Sequence, residues 1–386
     1  METVLIDRPA PHGRVTGGKA GSSLLVDARG IAHSGLGRYL REVLARVSAD
    51  PRFARITALG HPDEVRRFAP AAGVLAFPHA FYSPVGQARW LALAARGALK
   101  HDVSFFAHYD VPLPGPPARS VVVVHDLNHF TLPFYPAWKV ALAGGVLRRA
   151  VRRAARVVVP SLATRDALLA RHPEAAHRVS VVTEGVDPAW FAPAAALPPE
   201  VEALRPYVLC VGNRKPHKNH VAAVEVLACV RAVHPGVRLV LVGGGDEDGE
   251  AVRARAAARG VQGAVVELRG VDDDCLRSLY AGAECFLFPS LSEGFGLPVL
   301  EAMAAGAPVV ASTLTSVPEV VGDAGLLADP ADPDALAAAV LRMMDDAAFR
   351  AEMVERGRAR AATFRWETAA GEIADLLAEV AAGTYP

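Results

Sequence analysis

The run Ser292-Glu293-Gly294-Phe295-Gly296-Leu297-Pro298-Val299-Leu300-Glu301-Ala302-Met303-Ala304-Ala305-Gly306 sets two carboxylates on either side of a glycine-rich turn that opens a helix. Proline suits the first helical position, where its missing N–H costs nothing, and glycine suits the left-handed position past the last turn. The spacing therefore predicts a short helix that starts at Pro298 and stops at Gly306. Before it, the amides of Phe295, Gly296 and Leu297 are free to point at an anion, and the positive end of the helix dipole adds to the attraction. Glu293 falls outside the helix and Glu301 about one turn inside it, so each can accept sugar hydroxyls on one side of a diphosphate. A nucleotide sugar lying across the turn has that chemistry. The competing reading is structural: Glu293 as a helix cap and Glu301 as a surface residue.

Strands and helices alternate along both halves of the chain, which predicts parallel sheets flanked by helices. The first half places strands at 24–27, 56–59, 103–107, 121–125, 156–160 and 179–183. The second repeats the plan at 207–212, 238–242, 265–268, 285–289, 308–312 and 325–328. At 386 residues the chain exceeds the ~250–300 at which one core stops growing, and its 52% hydrophobic content can fill two. Between the halves, Asp187 to Pro206 holds Pro188, Pro193, Pro198, Pro199 and Pro206 and reads as a linker, with residues 191–206 as its body. The expected organisation is an N-terminal extension over 1–22, an α/β domain over 23–190, the linker, a second α/β domain over 207–363 and a terminal helix within 364–386. In that helix Ile373, Leu376, Leu377 and Val380 recur at helical spacing.

Ligands of parallel sheets bind outside the carboxyl ends of the strands, so chemistry is expected in the segments that follow them. After the strand at Tyr207 comes Asn213-Arg214-Lys215-Pro216-His217-Lys218-Asn219. A diphosphate leaving group gains negative charge as its bond breaks, and fixed cations shielded from water stabilise it. Arg214 and Lys218 are the cations chosen, against the alternative of solvated loop charges. Ser34-Gly35-Leu36-Gly37-Arg38-Tyr39 follows the first strand and opens a helix, and its glycines would let backbone approach a ligand closely. His125 and Asp126 end an all-valine strand, where neighbours in sequence point apart, so separate roles are expected for them.

Read on through Val309-Val310-Ala311-Ser312, the run from Ser292 closely resembles the signature of retaining glycosyltransferases of family 4, which have the GT-B fold. The turn at Gly35 resembles the Gly-Ile-Gly-Arg-Tyr turn of a subgroup containing many polysaccharide mannosyltransferases. So do Phe81-Tyr82-Ser83-Pro84, the stretch from His101-Asp102-Val103 to Tyr109-Asp110-Val111-Pro112, and Val124-His125-Asp126-Leu127. The resemblance covers most of residues 24–370. It implies two Rossmann-like α/β domains facing a central cleft, with the terminal helix crossing back onto the N-terminal domain. It implies that Glu293 contacts the transferred sugar, Glu301 the ribose, and His125 the donor sugar near its anomeric centre. His125, Lys218, Arg214 and Glu293 are thus the expected catalytic set. Gly35, Gly37, Asn213, Val271, Gly294, Phe295, Gly296, Leu297 and Glu301 are the expected donor-binding set, and His108, Tyr109 and Asp126 lie on the acceptor side. The Lys218-Asn219 pair matches the family well, whereas the arginine register differs by about one residue.

Three features take simpler readings. Asp272-Asp273-Asp274 resembles a metal-binding Asp-x-Asp of another glycosyltransferase architecture, but it precedes a helical pattern at Leu276, Leu279 and Tyr280, where aspartate serves as a cap. Gly243-Gly244-Gly245-Asp246 lacks the third spaced glycine of a dinucleotide fingerprint and reads as a turn beside the donor nucleotide. Arg148, Arg149, Arg152, Arg153 and Arg156 read first as a solvated helix face, with weak peripheral contact to an anionic membrane as the alternative.

Lysine plus arginine and aspartate plus glutamate each number 41, so no basic field points to a nucleic-acid partner. No apolar run reaches the ~20 residues that span a bilayer, and no leader is evident at the start, so a cytoplasmic protein is expected. Cys210, Cys229, Cys275 and Cys285 form no CxxC pair and are expected to be reduced core residues. The expectation is an α-retaining, metal-independent hexosyltransferase without a cofactor. Its donor would be a nucleotide sugar, GDP-mannose first and a UDP- or dTDP-sugar next, and its acceptor a hydroxyl of a glycan, a lipid-linked sugar or a small natural product. The rivals are a nucleotide-sugar-binding protein without transfer activity, a sugar-nucleotide epimerase and a phosphorylase.

Overall fold

The computed structural model describes residues 21–33, 35–113, 115–193 and 196–385. Of the expected N-terminal extension, residues 1–20 lie outside the described residues. Ser22, assigned to it, already belongs to the first strand, since its amide donates to Arg52 O at 3.0 Å. The chain divides into two compact units. One ends at Glu184 and resumes at Trp366, and the other is Gly185–Arg365.

The first unit is built on a parallel sheet of β1 (Ser22–Asp27), β2 (Phe53–Gly60), β3 (Gly73–Ala76), β4 (Val103–Phe106), β5 (Ser120–Val123), β6 (Arg156–Val159) and β7 (Val179–Val181), in the order β3-β2-β1-β4-β5-β6-β7. Valine and leucine runs such as Val121 to Val124 are buried on both sheet faces, the composition a helix-covered parallel strand requires. β3 was missed from sequence because it is a short, largely exposed edge strand whose apolar run, Val74-Leu75-Ala76, is too brief to be told from a loop. The second unit has β8 (Tyr207–Val211), β9 (Arg238–Val242), β10 (Val265–Leu268), β11 (Cys285–Phe288), β12 (Val309–Ser312) and β13 (Leu326–Ala328), in the order β10-β9-β8-β11-β12-β13. Each sheet is wound outward in two directions, so each has a topological switch point, between β1 and β4 and between β8 and β11.

The Pro-rich stretch read as a linker is part of the second unit. Its prolines start two short helical turns, Pro188–Phe191 and Pro199–Glu202, whose Trp190 and Val201 are buried in that unit's core. A proline at the head of a turn pre-sets φ instead of breaking structure. The helix Trp366–Ala382 belongs to the first unit and packs along the helix Gly35–Val47. It buries Ile373, Leu376, Leu377 and Val380, each worth about 1.5–3 kcal/mol. Its ion pairs, Arg46 to Glu367 at 2.6 Å and Arg52 to Asp375 at 2.7 Å, are partly solvated and contribute roughly 0–1 kcal/mol each. Apolar burial therefore seats the helix. Among the cysteines, Cys210 and Cys285 are buried on adjacent strands, whereas Cys229 and Cys275 are only half-buried on helices; all four are free thiols.

Candidate active site

The two segments that leave the switch point of the second sheet meet. Beyond β8 the chain passes Gly212, makes a short turn over Pro216–Lys218 and enters the helix His220–Val233 through Asn219, which has φ 56°. Beyond β11 it passes Ser290 and Glu293 and enters the helix Leu297–Ala305. Backbone ties the two, since Leu291 N donates to His217 O at 2.7 Å. Side chains close the junction: Lys218 Nζ lies 2.7 Å from Glu293 Oε1 and 5.3 Å above the Phe288 ring, and Ser290 Oγ donates to the same carboxylate oxygen. The pair is mostly but not wholly buried, with side-chain exposures of 14% and 12%. Ammonium and carboxylate were assigned separate tasks from sequence, and the fold makes them neighbours.

The glycine-rich turn is held from behind. Thr315 Oγ1 accepts from Glu293 N at 3.0 Å, and Ser316 Oγ reaches Glu293 O at 3.0 Å and Phe295 O at 2.8 Å. These bonds use the carbonyls and leave the amides of Phe295, Gly296 and Leu297 outside the backbone hydrogen bonds among the described residues. The helix starts one residue before the expected Pro298, with Gly296 at φ 118° as its cap, and it ends at Gly306 with φ 88°. The Phe295 ring turns into the core against Phe364, so this residue offers a ligand its backbone only. Glu301 sits in the second turn, 8% exposed, and Tyr280 Oη donates towards its Oε2 at 3.5 Å.

Arg214, expected as a second cation for the diphosphate, sits in a buried ion-pair network. It is 2% exposed and ion-paired twice, Nε to Asp248 Oδ1 at 2.9 Å and Nη1 to Glu267 Oε2 at 3.0 Å. Asp248 also takes a 2.6 Å hydrogen bond from His220 Nδ1. Burial raises the Asp248 pKa, but the His220 bond and charge and the Arg214 guanidinium outweigh it and hold the carboxyl below its usual range. Two carboxylates compensate this arginine, so it braces the loops beyond β8 and β9 against β10, while Lys218 is the cation paired with Glu293. Glycine is needed where the loops beyond β8 and β9 approach, since a Cβ on Gly243 would collide with Gly212 O. Asn213 is exposed at the head of the β8 loop. Val271 follows β10 at the sheet edge, packed on the core, two strands from the switch point. Asp272 caps the helix Asp273–Gly282, accepting from Cys275 N at 2.8 Å. Among the described residues, no group of three His, Cys, Asp or Glu side chains is placed to hold a metal.

The first unit carries its own cluster beyond β1, β4 and β5. Arg29 Nη1 lies 3.0 Å from Asp110 Oδ2 and its Nη2 lies 2.7 Å from Asp27 Oδ2, a buried triad that ties β1 to β4. Asp110 N donates to His108 Nδ1 at 2.9 Å, which places any proton of neutral His108 on Nε2. Burial, then the charges of His125 and Arg29, push the His108 pKa down to about 3, so this ring is neutral at ordinary pH. His108 stacks on Tyr109, whose hydroxyl lies 3.3 Å from His129 Nδ1. His125 packs edge-on to Tyr39 at 4.8 Å, with its Nδ1 3.2 Å from Glu184 Oε1. Asp126 turns to another task, accepting from Asn128 N at 3.0 Å and starting the short helix Asn128–Thr131. At Gly37 a Cβ would meet Ile31 O at 2.6 Å, so glycine is required by the close approach of the preceding chain; at Gly35 the corresponding space is open. Arg29, Glu184, Ser290, Thr315 and Ser316 were not singled out from sequence. Only Arg29, two residues past Asp27 at a strand end, carried a local signal.

A family model described as "Glycosyl transferases group 1" matches residues 205–346. The chain is 34% identical over 291 residues to the O-antigen chain mannosyltransferase B of Escherichia coli, covering 72% of this chain and 73% of that protein. It is 33% identical over 221 residues to a phosphatidyl-myo-inositol mannosyltransferase of Mycolicibacterium smegmatis, covering 56% of this chain and 55% of that one. In structure it is similar to Anabaena Alr3699/HepE in complex with UDP and glucose, with a TM-score of 0.73, 20% identity, and coverage of 92% of this chain and 98% of that one. The glycosyltransferase WaaG, involved in lipopolysaccharide biosynthesis, gives a TM-score of 0.68 at 18% identity, covering 92% and 99%. With this strand order in both sheets and a relative of that identity and coverage, the chain belongs to the group 1 glycosyltransferases, the family 4 enzymes of GT-B fold, among their mannosyltransferase-like members.

Proposed function

We propose that this glycosyltransferase moves a hexosyl group from a nucleotide diphosphate sugar to an acceptor hydroxyl with retention of the α configuration, and that it needs neither a metal nor a cofactor. The observation that carries the reading is the Lys218–Glu293 pair at the switch point of the second sheet, beside the free amides that open the helix Leu297–Ala305. In this reading the amides and Lys218 take the diphosphate, Glu293 takes the hexose and Glu301 the ribose. The bond from the anomeric carbon to the diphosphate oxygen breaks while the acceptor oxygen bonds to the same face of that carbon. The acceptor's proton passes to the departing diphosphate oxygen. Lys218 stabilises the charge that grows on that oxygen, and such fixed charges act most strongly where water is excluded.

GDP-mannose is the favoured donor, because the relatives reported above are named mannosyltransferases; a UDP- or dTDP-sugar is next, and UDP is the nucleotide in the Anabaena structure. The acceptor is a hydroxyl of a glycan, a lipid-linked sugar or a small molecule. Weak contact with an anionic membrane surface has support in the helix Ala137–Arg153. Trp138 and Leu142 are 64% and 48% exposed there, with Phe134 47% exposed just before it, and Arg148 and Arg152 are exposed further along. Among the described residues no helix is long and apolar enough to cross a membrane. The test is incubation of the purified protein with a panel of nucleotide sugars and acceptors, with and without EDTA, and assignment of the product anomer by NMR. An α-linked product formed in EDTA supports the reading. A β-linked product, dependence on added Mg²⁺ or Mn²⁺, or tight donor binding with neither transfer nor donor hydrolysis would overturn the corresponding part.

A further inference from the structure

His125 and Glu184 reach one another around a strand. His125 stands two residues beyond β5 and Glu184 three beyond β7, and β6 runs between those strands in the sheet. The Glu184 carboxylate is almost wholly buried, and its one hydrogen-bond partner among the described residues is His125 Nδ1 at 3.2 Å. A carboxylate only accepts, so the shared proton sits on Nδ1 in the neutral and in the charged imidazole alike. The other ring nitrogen, Nε2, is buried and has no hydrogen-bond partner among the described residues. Tyr39 meets the ring edge-on at 4.8 Å and is itself packed against Trp366, so the imidazole is held against rotation. His108, which interacts with His125 electrostatically, is held neutral by its low pKa and supplies no second charge.

We infer that Glu184 is a positioning residue for His125: it selects the Nδ1–H tautomer and thereby presents Nε2 as a hydrogen-bond acceptor to a sugar hydroxyl. The inference rests on the reading of His125 as a contact of the donor sugar. Its physical reason is that a free imidazole interconverts between tautomers, and only one of them offers an acceptor on the side away from Glu184. Buried polar atoms are almost always paired, so an unpartnered Nε2 marks the place where a donor group arrives.

The experiment is ¹⁵N NMR of the full-length protein labelled on histidine, at a pH well above the ordinary imidazole range. It is run on wild type, Glu184→Gln, Glu184→Ala and His125→Ala, the last identifying the resonance by its loss. The wild-type ring is expected to carry its proton on Nδ1. Glu184→Gln, whose amide oxygen still accepts, keeps that tautomer and most of the turnover. Glu184→Ala moves the proton to Nε2 and lowers kcat about tenfold to a hundredfold, the loss of one charged hydrogen bond, with less change in donor KM. A wild-type proton on Nε2, or an unchanged tautomer in Glu184→Ala, overturns the inference. If Glu184→Ala fails to fold by circular dichroism, the wild-type spectrum alone decides. A tautomer shift as expected, with full transfer activity in His125→Ala, would uphold the positioning and overturn the sugar-contact reading beneath it.

Discussion

Lys218 and Glu293, 75 positions apart in the chain, form a 2.7 Å ion pair across the switch point between β8 and β11. Under the proposed function the ammonium is thereby aimed before any donor binds, which would lower the reorganisation needed as a diphosphate departs. Lys218→Ala is expected to slow single-turnover transfer at saturating donor by about 10²–10³, with unchanged circular dichroism. A solvated surface lysine would cost almost nothing. A rate within about threefold of wild type, near 0.6 kcal/mol, would remove Lys218 from the leaving-group site.

Under the proposed function Glu301 acts on a different step. A ribose contact is made equally in the ground and transition states, so Glu301→Ala should weaken donor binding far more than it slows chemistry. The expected loss is on the order of 1.5–3 kcal/mol, read by titration calorimetry with the donor nucleotide. An unchanged dissociation constant counts against the assignment.

Arg214 tests the brace. Because the guanidinium is 2% exposed and answers Asp248 and Glu267, Arg214→Met leaves two carboxylates without their cation. The expected destabilisation is on the order of 3 kcal/mol, towards the low end for a broken buried pair because Glu267 is partly solvated. The folded Asp248 pKa is depressed, so its contribution is present above the ordinary carboxylate range and is lost as pH falls through the lower, folded value. Denaturant midpoints of wild type and variant should differ at neutral pH and converge in acid. A constant gap across that range would argue against the pairing as its source.

The exposed helix face gives a binding prediction. Trp138→Ser with Leu142→Ser removes the apolar part and leaves the arginines in place. Wild type should cosediment with vesicles containing anionic phosphatidylglycerol, less so as salt rises, and the double variant should lose most of that binding. No cosedimentation of wild type at low salt would refute the membrane contact.

The elements of both sheets were legible in the chain because their signals are local. Valine runs, helical spacing and the punctuation by proline and glycine depend on each residue's own sterics, which is why Gly306 has the left-handed φ and Asp272 caps its helix as read. The family was legible for the same reason, since its motifs are contiguous. The ends of β4, β5, β6, β7, β8 and β11 were drawn one or two residues too long, because side-chain type does not record where a neighbouring strand stops pairing, and the short exposed strand β3 left only a three-residue apolar run. Partner choice was decided only in three dimensions. That Arg214 would answer Asp248 while Lys218 faced Glu293, and that His125 would be gripped by Glu184 some 59 positions away, depends on which loops the strand orders β9-β8-β11 and β5-β6-β7 bring together. Charge and hydrogen bonding act over a few ångströms of space, and sequence spacing does not carry that distance.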